Sequence, residues 1–406
     1  MEKMFFKKLV TFWFALLLII ASCSPKNSLS IFEKPLPPFL SAQLTEDLKD
    51  AKITKEAMEV TWLAKKSDTS FVRYKYIEGR LSASISPHMR MHPRYVVVTE
   101  ALERIFSAHS FANLDFIVCL GDALHENTSP APLFTFAKKQ GAERLILIPD
   151  CEALNPVDRQ YLTNLMAEGK REHPWSEKIA SVFWRGAPTG PIPTANDIES
   201  NHWANSPRFQ LVKLSEKLPR LIDAAFICWN GVNENKEILA KTFRLTSSVN
   251  PKNHLPYKYL IDVDGNSCCY SRTFWILLSN SVMLKQKTDD VQWFYKGLVP
   301  FVHFIPLNYN LSDLEEKIEY CQKHEEIVQK VTLQANDFAQ NHLQYENNLD
   351  YLAHLLQEYG SHMQYKPVLE QSDLKASIPA YQKFYFDAKA FLRKRLRSKP
   401  IASLHS

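Results

Sequence analysis

The chain has 406 residues, 45% of them hydrophobic and 12% aromatic, enough for two domains with substantial cores. Its 10 glycines against 23 prolines exclude a collagen-like or low-complexity chain. The 49 basic and 44 acidic residues leave a net charge of +5, too small a surplus to argue for any partner by itself, and the end of the chain, KAFLRKRLRSKP, accounts for much of it.

The N-terminus opens with MEKMFFKK, a short basic region. LVTFWFALLLIIAS follows, an apolar run of roughly 14 residues against the ~20 that a spanning helix usually needs. It ends in IASC, which resembles a bacterial lipoprotein cleavage box with Cys23 as the lipidated residue. The alternative is an uncleaved anchor that starts at Met4 and lets Lys7 and Lys8 snorkel. Either way, residues 1–23 predict export or membrane attachment, and no other segment is apolar enough to span a bilayer. No two of the seven cysteines have Cys-x-x-Cys spacing, which argues against a zinc or thioredoxin-like site.

Residues 24–44 are rich in Ser and Pro and read as a tether. TEDLKDAKITKEAMEVTWLAK has helical periodicity, FVRYKYIEGRLSASI reads as two short strands around a Glu-Gly turn, and YVVVTEALERIFSAH mixes a β-branched start with a helical end. LDFIVCL, leading into Gly121-Asp122, and RLILIPD, ending at Asp150, are apolar throughout. Such strands, separated by helical or loop stretches, predict a parallel sheet covered on both faces. SVFWRGAPTG, DAAFICWNG, KYLIDVDG, SVMLKQ and FVHFIPL extend the series. The expectation is an α/β chain with two doubly wound domains, 45–178 and 179–345, divided near the polar REHPWSEK. Ser312 and Glu315 have capping-box spacing, predicting the start of a long helix. Closing helices over 346–380 and a basic, aromatic tail over 381–406 complete the chain.

Three places carry candidate chemistry. In YLIDVDGNSCCYSR, a strand meets an Asp264-Gly265-Asn266 turn and a helix start, with Ser271 as the expected cap and Arg272 in the first turn. Free amides and the helix dipole at such a start favour an anion, and an arginine fork matches phosphate oxygens. Asp262 and Asp264 share a face and could instead hold a metal, although no third ligand lies near in sequence. A plain strand turn with a capped helix is the structural alternative. In FWRGAPTGP, Arg185 stands at the end of a strand, where open α/β sheets bind ligands, unless it is a surface arginine before a turn. In FIVCLGDALHE, Asp122 follows a buried strand and suits a general base, or caps a helix starting at ALHE. His125 reads as a helix-face residue. The tryptophans Trp184, Trp203, Trp229, Trp275 and Trp293 suit sugar stacking but are more often core. P-loop, dinucleotide-fold, zincin and α/β-hydrolase signatures do not occur.

Taken in order, FVRYKYIEGRL, LDFIVCLGD, FWRGAPTG, SPRFQLVKLSEKLPRLIDAAF, YKYLIDVDGNSCCYSRTFWILLSNSVMLKQ and WFYKGLVPFVHFIPLNYNLSDLEEKIEY resemble glycosyltransferase family 90 over roughly residues 70 to 365. That family includes protein O-glucosyltransferases, capsule-associated xylosyltransferases and bacterial lipopolysaccharide-modifying transferases. The resemblance implies a GT-B type fold, with two Rossmann-like domains facing a cleft, and an inverting, metal-independent reaction with a UDP-sugar donor and no cofactor. By position, Asp122 matches the family's base. Arg185 and Arg272 match residues around the UDP phosphates, Arg208 a further basic position in the donor half, and Gly186, Asp264, Gly265 and Ser271 the pocket wall. The Asp-x-Asp pair is then a strand end, not a metal site.

Ala187, Gln292, Cys268 and Cys269 depart from the family's usual residues; Gln292 stands where many members are acidic, so the resemblance implies different donor-sugar contacts. The expected acceptor is a lipopolysaccharide-type glycan or glycolipid, ahead of a protein. An export signal would part such an enzyme from a cytoplasmic donor: either the N-terminus is a membrane anchor with a donor-accessible catalytic domain, or the motif match misleads about activity. The tail would lie on an anionic membrane or be solvated. The competing reading is an exported, non-catalytic sugar-binding lipoprotein on a transferase scaffold. A hydrolase would need a second carboxylate near Asp122, and the sequence offers none.

Overall fold

The computed structural model describes residues 35–370 apart from Asn233. The expected lipidation site Cys23 and the basic tail lie outside them. No helix among the described residues is long and apolar enough to cross a membrane.

The first helix, α1 (Pro38–Asp47), falls inside the stretch read as a tether. Pro38 opens it, because a proline at the first helical position costs no hydrogen bond. Its Asp47 is buried against the Lys138 ammonium at 2.7 Å, so the segment is packed rather than solvated. Helix α2 (Lys55–Lys65) follows, capped by the Thr54 hydroxyl. Strands β1 (Phe71–Ile77) and β2 (Arg80–Ser84) form the predicted hairpin. Glu78 (φ 49°) and Gly79 (φ 80°) supply the two left-handed residues of a tight two-residue turn. Helix α3 (Pro93–Ala108) takes in the whole β-branched stretch read as mixed; its valines face the core. Tertiary packing overrides their weak helix propensity.

Strand β3 (Leu114–Cys119) is the predicted LDFIVCL strand, buried throughout. It pairs antiparallel with β1 and parallel with β4 (Leu133–Thr135), which pairs with β6 (Leu145–Leu147). The first sheet, ordered β2-β1-β3-β4-β6, is therefore mixed and not the parallel sheet expected. The hairpin turn forces the antiparallel edge. The two-residue strand β5 (Lys138–Lys139) lies apart from it.

After helix α4 (Pro156–Glu172), strand β7 (Ile179–Gly186) opens the second sheet. Helices α5 (Ala195–Glu199) and α6 (Pro207–Lys217), strand β8 (Ile222–Phe226), helix α7 (Lys236–Thr242), strand β9 (Tyr257–Asp262), helix α8 (Tyr270–Leu278) and strand β10 (Val282–Gln286) follow, then β11 (Asp290–Val291) and β12 (Ile305–Leu307). This sheet is wholly parallel, ordered β12-β10-β9-β7-β8. The chain winds first to one side of β7 and then to the other. That leaves a crevice beyond the carboxyl ends of β7 and β9, where open α/β sheets take ligands. The core beneath is aromatic. Phe226, fully buried, lies 4.9 Å from the Phe209 ring, 5.6 Å from Phe243 and 5.9 Å from Trp184. Phe226→Ala is expected to cost about 3–5 kcal/mol in a denaturant titration, the usual loss for an aromatic deleted from a packed core. Trp184, Trp203, Trp275 and Trp293 are likewise buried.

The expected long helix is two: α9 (Leu314–Lys323) and α10 (Glu325–His342), broken at His324. No capping box forms, because Asp313, not Ser312, is the N-cap and its carboxylate accepts from the Asn308 amide at 2.9 Å. One closing helix, α11 (Tyr345–Ser361), is described. It returns to the first half of the chain: Tyr359 donates to the Asp115 carbonyl at 3.0 Å, Tyr351 to the Leu147 carbonyl at 3.2 Å and Asn348 to the Ala153 carbonyl at 2.9 Å. The buried Asp115 carboxylate also takes two bonds from Arg73, at 2.8 and 2.6 Å. The strand that leads to Asp122 is thus clamped from both faces.

The two-residue ladder β5–β11 runs between the two sequence halves, extended by the Gln140 amide on the Asp289 carbonyl at 2.7 Å. His125 and Lys139 both reach the Asp290 carboxylate, at 3.4 and 3.2 Å.

Candidate active site

Asp122 lies three residues past the end of β3, in a loop and not at a helix start, so it caps nothing; His125 is in the same loop. Its carboxylate is approached from two sides. Arg94, in the first turn of α3, donates to Oδ1 at 2.5 Å and to the Leu120 carbonyl at 2.8 Å. Asn266, in the turn after β9, donates to Oδ2 at 3.3 Å, and the Tyr270 hydroxyl donates to the Asp122 main-chain oxygen. Burial pushes the carboxyl up, but the Arg94 and Asn266 hydrogen bonds and the Arg94 charge outweigh it and hold it below the ordinary value. Asp122 is ionised in the resting protein.

The turn opposite is built by close backbone approach. A Cβ on Gly265 would lie 2.5 Å from Thr189 Oγ1 and 2.9 Å from Arg208 Nη2, and one on Gly190 (φ 100°) would lie 2.7 Å from the Gly265 carbonyl. Both positions require glycine. Arg208 rivets the two loops together, donating to the carbonyls of Ala187 (2.8 Å), Val263 (3.0 Å) and Asp264 (3.1 Å) and to Thr189 Oγ1 (2.7 Å). Gly186 leaves room for the Trp184 ring, which a Cβ would meet at 2.4 Å.

The three predicted arginines differ. Arg185 is paired with Asp223 at 2.7 Å and lies over the Phe183 ring. Arg208 and Arg272 have no carboxylate within ion-pair distance among the described residues. Arg272 donates to the Arg185 carbonyl at 2.6 Å, and both guanidiniums lie over Trp184, at 5.7 and 5.8 Å from its ring centre. Burial lowers the Arg272 pKa, and the nearby Arg208 charge lowers it further. Two cations are thus held near each other, with the Asp262 charge also acting on Arg272 and no ion pair made by either among the described residues.

Ser271 is the second residue of α8, whose N-cap is Cys269. Its amide is not free: Glu152 Oε2 accepts from it at 2.9 Å. A carboxylate already stands where the sequence suggested a phosphate. If a ligand anion uses this amide, Glu152→Gln removes a competing charge. UDP affinity is then expected to rise about two- to fivefold, as befits a charge at a helix terminus, measured by titration calorimetry.

Asp262 and Asp264 face the same way, and their carboxylates lie within 4.8 Å of each other and of Cys269 Sγ. The positive charge beside them is the buried Lys285 ammonium, 3.3 Å from Asp262 Oδ2. Asp262 also accepts from Thr273 at 2.7 Å, Asp264 from Thr288 at 2.7 Å, and the Cys269 thiol is turned to the Val263 carbonyl at 2.9 Å. Burial, opposed by Lys285 and reinforced by Asp262, pushes the Asp264 carboxyl up to about 6. One ammonium stands against two carboxylates, and only Asp262 is ion-paired with it.

A cavity of about 680 Å³, within the range of ligand sites, opens beside these groups. His125 lines it from the first half of the chain, and Asp264, Gly265, Asn266, Thr288 and Tyr309 from the second. Asp122, through Asn266, is at its edge.

The sequence model described as glycosyl transferase family 90 matches residues 37–381. The chain belongs to glycosyltransferase family 90. It is 28% identical over 263 residues to protein O-glucosyltransferase 2 of Danio rerio, covering 63% of this chain and 49% of that protein. It is 27% identical over 268 residues to protein O-glucosyltransferase 3 of Homo sapiens (63% and 48%), and 28% identical over 206 residues to protein O-glucosyltransferase 1 of Rattus norvegicus (51% and 48%). The chain spans about half the length of the curated relatives it matches.

In this family 90 chain, Asp122, Asp264, Gly265, Ser271, Arg208 and Arg272 gather around the crevice, while the Arg185 side chain is engaged elsewhere. Arg94, Glu152 and Tyr270 were not singled out from the sequence. Asn266 stands in the quoted turn, where a side-chain amide after Asp-Gly was the available signal. Arg94 and Glu152 left none, because their roles exist only once α3 and the loop after β6 fold against the crevice.

Proposed function

We propose that the protein is an inverting, UDP-sugar-dependent glycosyltransferase of GT-B type, with an N-terminal acceptor-side half and a C-terminal donor half divided near residue 178. The observation that supports it best is the meeting of two things. An ionised Asp122 stands on one side, and a glycine turn held by Arg208, with Arg272 near it, stands on the other. Asp122 takes the proton of an acceptor hydroxyl as its oxygen attacks the anomeric carbon. The bond from that carbon to the diphosphate oxygen breaks, and the charge on departing UDP is met by Arg208, Arg272 and the start of α8. The reaction we propose is metal-independent and uses no cofactor, with Arg208 and Arg272 supplying the positive charge.

The acceptor we propose is a cell-surface glycan of lipopolysaccharide type, with the enzyme attached to a membrane by residues 1–23. The names of the relatives favour a second reading, a protein hydroxyl as acceptor. UDP release from a panel of UDP-glucose, UDP-xylose and UDP-galactose, with and without glycan or protein acceptors, tests both. Turnover of one donor raised by one acceptor class is the expected result. Absence of both turnover and UDP binding would overturn the transferase reading in favour of a sugar-binding scaffold.

A further inference from the structure

We propose that Arg94 is a positioning residue, which aims the Asp122 carboxylate and sets the pH at which it works; this rests on Asp122 being the base. The geometry is that of a bracket. One guanidinium nitrogen holds the Leu120 carbonyl, at the exit of β3, at 2.8 Å. The other holds Asp122 Oδ1 at 2.5 Å, two residues further on. A planar fork spanning backbone and carboxylate fixes the side-chain torsions of Asp122 in a loop that has no regular structure of its own. Arg94 is itself anchored at the start of α3, where its amide donates to the His92 ring at 3.3 Å. Asn266 takes the second carboxylate oxygen from across the crevice at 3.3 Å, and Tyr270 takes the main-chain carbonyl. Each carboxylate oxygen therefore has one donor and keeps lone-pair capacity for a proton.

Arginine suits this place because it stays protonated through any working pH and never competes for the acceptor's proton. The charged and titratable groups facing the pair are few. Tyr270 comes from α8, Cys151 from the loop after β6, Cys119 from the end of β3 and His92 from the start of α3; Asp150 acts on Tyr270 behind them. Of the groups that act on Asp122 itself, Arg94 holds its carboxyl down most strongly, and burial alone would carry it up. Without Arg94, the base would stay protonated to higher pH and would swing in its loop.

The test is kcat and KM against pH for the wild type, Arg94→Met, Arg94→Lys and Asp122→Asn. It uses whichever of UDP-glucose, UDP-xylose and UDP-galactose is turned over fastest, with water standing in for the acceptor hydroxyl. Arg94→Met is expected to lower kcat about ten- to a hundredfold, the range of a mis-set base. Donor KM should stay within about twofold and the acidic limb should move to higher pH. Arg94→Lys should restore the limb more than the rate, because it returns the charge without the fork, and it serves as the readout if Arg94→Met does not fold. An unmoved acidic limb in both variants, or a loss lying wholly in donor KM, would overturn the proposal. Wild-type turnover by Asp122→Asn would instead remove the base assignment on which it stands.

Discussion

Asp122→Asn lowers UDP-sugar turnover by at least about a hundredfold, the scale of a lost general base, and leaves UDP affinity within about twofold. The amide is nearly isosteric and the Tyr270 bond to the main chain is untouched; its one oxygen serves Arg94 or Asn266 but not both, a loss of one 3.3 Å bond at the crevice. It cannot accept the acceptor's proton. The Arg94 ion pair is lost as well, but no buried charge is stranded, because both side chains are partly exposed. The pH behaviour follows from the sign of the shift. A carboxyl held below its ordinary value is active when ionised, so wild-type activity is retained as pH falls through the usual carboxylate range. It is lost only at lower pH, as protons reach Asp122. A kcat/KM profile with its acidic limb well above that range would assign the limb to another group.

Arg208→Ala and Arg272→Ala each weaken UDP binding about ten- to a hundredfold, equal to about 1.5–3 kcal/mol for a hydrogen bond to a charged group. Neither guanidinium has an ion-pair partner among the described residues, and each lies over the Trp184 ring near the other. A bound diphosphate relieves that repulsion, so UDP should also raise the melting temperature of the wild type. The rise should shrink in both variants. Arg185→Ala gives a smaller loss of affinity, because its charge is already met by Asp223. Lysine substitutions separate binding from folding, since both arginines also hold backbone carbonyls. Calorimetry that ranked Arg185 above the other two would reverse the assignment.

The second sheet was readable almost strand by strand, because its largely buried parallel strands stand out as apolar runs between polar stretches. The first sheet was readable only in part. LDFIVCL and the Glu78-Gly79 hairpin stand out, but β4 is three residues long, and its pairing with β3 is a long-range event. The candidate site divides the same way. Asp122 and the Asp264-Gly265 turn follow strand ends, and Arg272 lies in the first turn of α8, places to which local pattern points. Arg94 and Glu152 gain meaning only from elements about 28 and 119 residues away. Ser271 and Ser312 show the limit of capping rules: each has the right chemistry, but packing started each helix elsewhere, at Cys269 and Asp313.

The ladder between β5 and β11 has a kinetic consequence. It fastens the rim of the crevice with backbone bonds, and His125 and Lys139 add their hold on Asp290 beside it. Jaws latched at the lip cannot gape without undoing the latch. On the proposed function, substrates and products would then pass by the yielding of small parts, such as the loop at 187–191 and the Asn266 amide. Turnover should respond to changes in those parts more sharply than to solvent viscosity, which brakes a rigid-body swing.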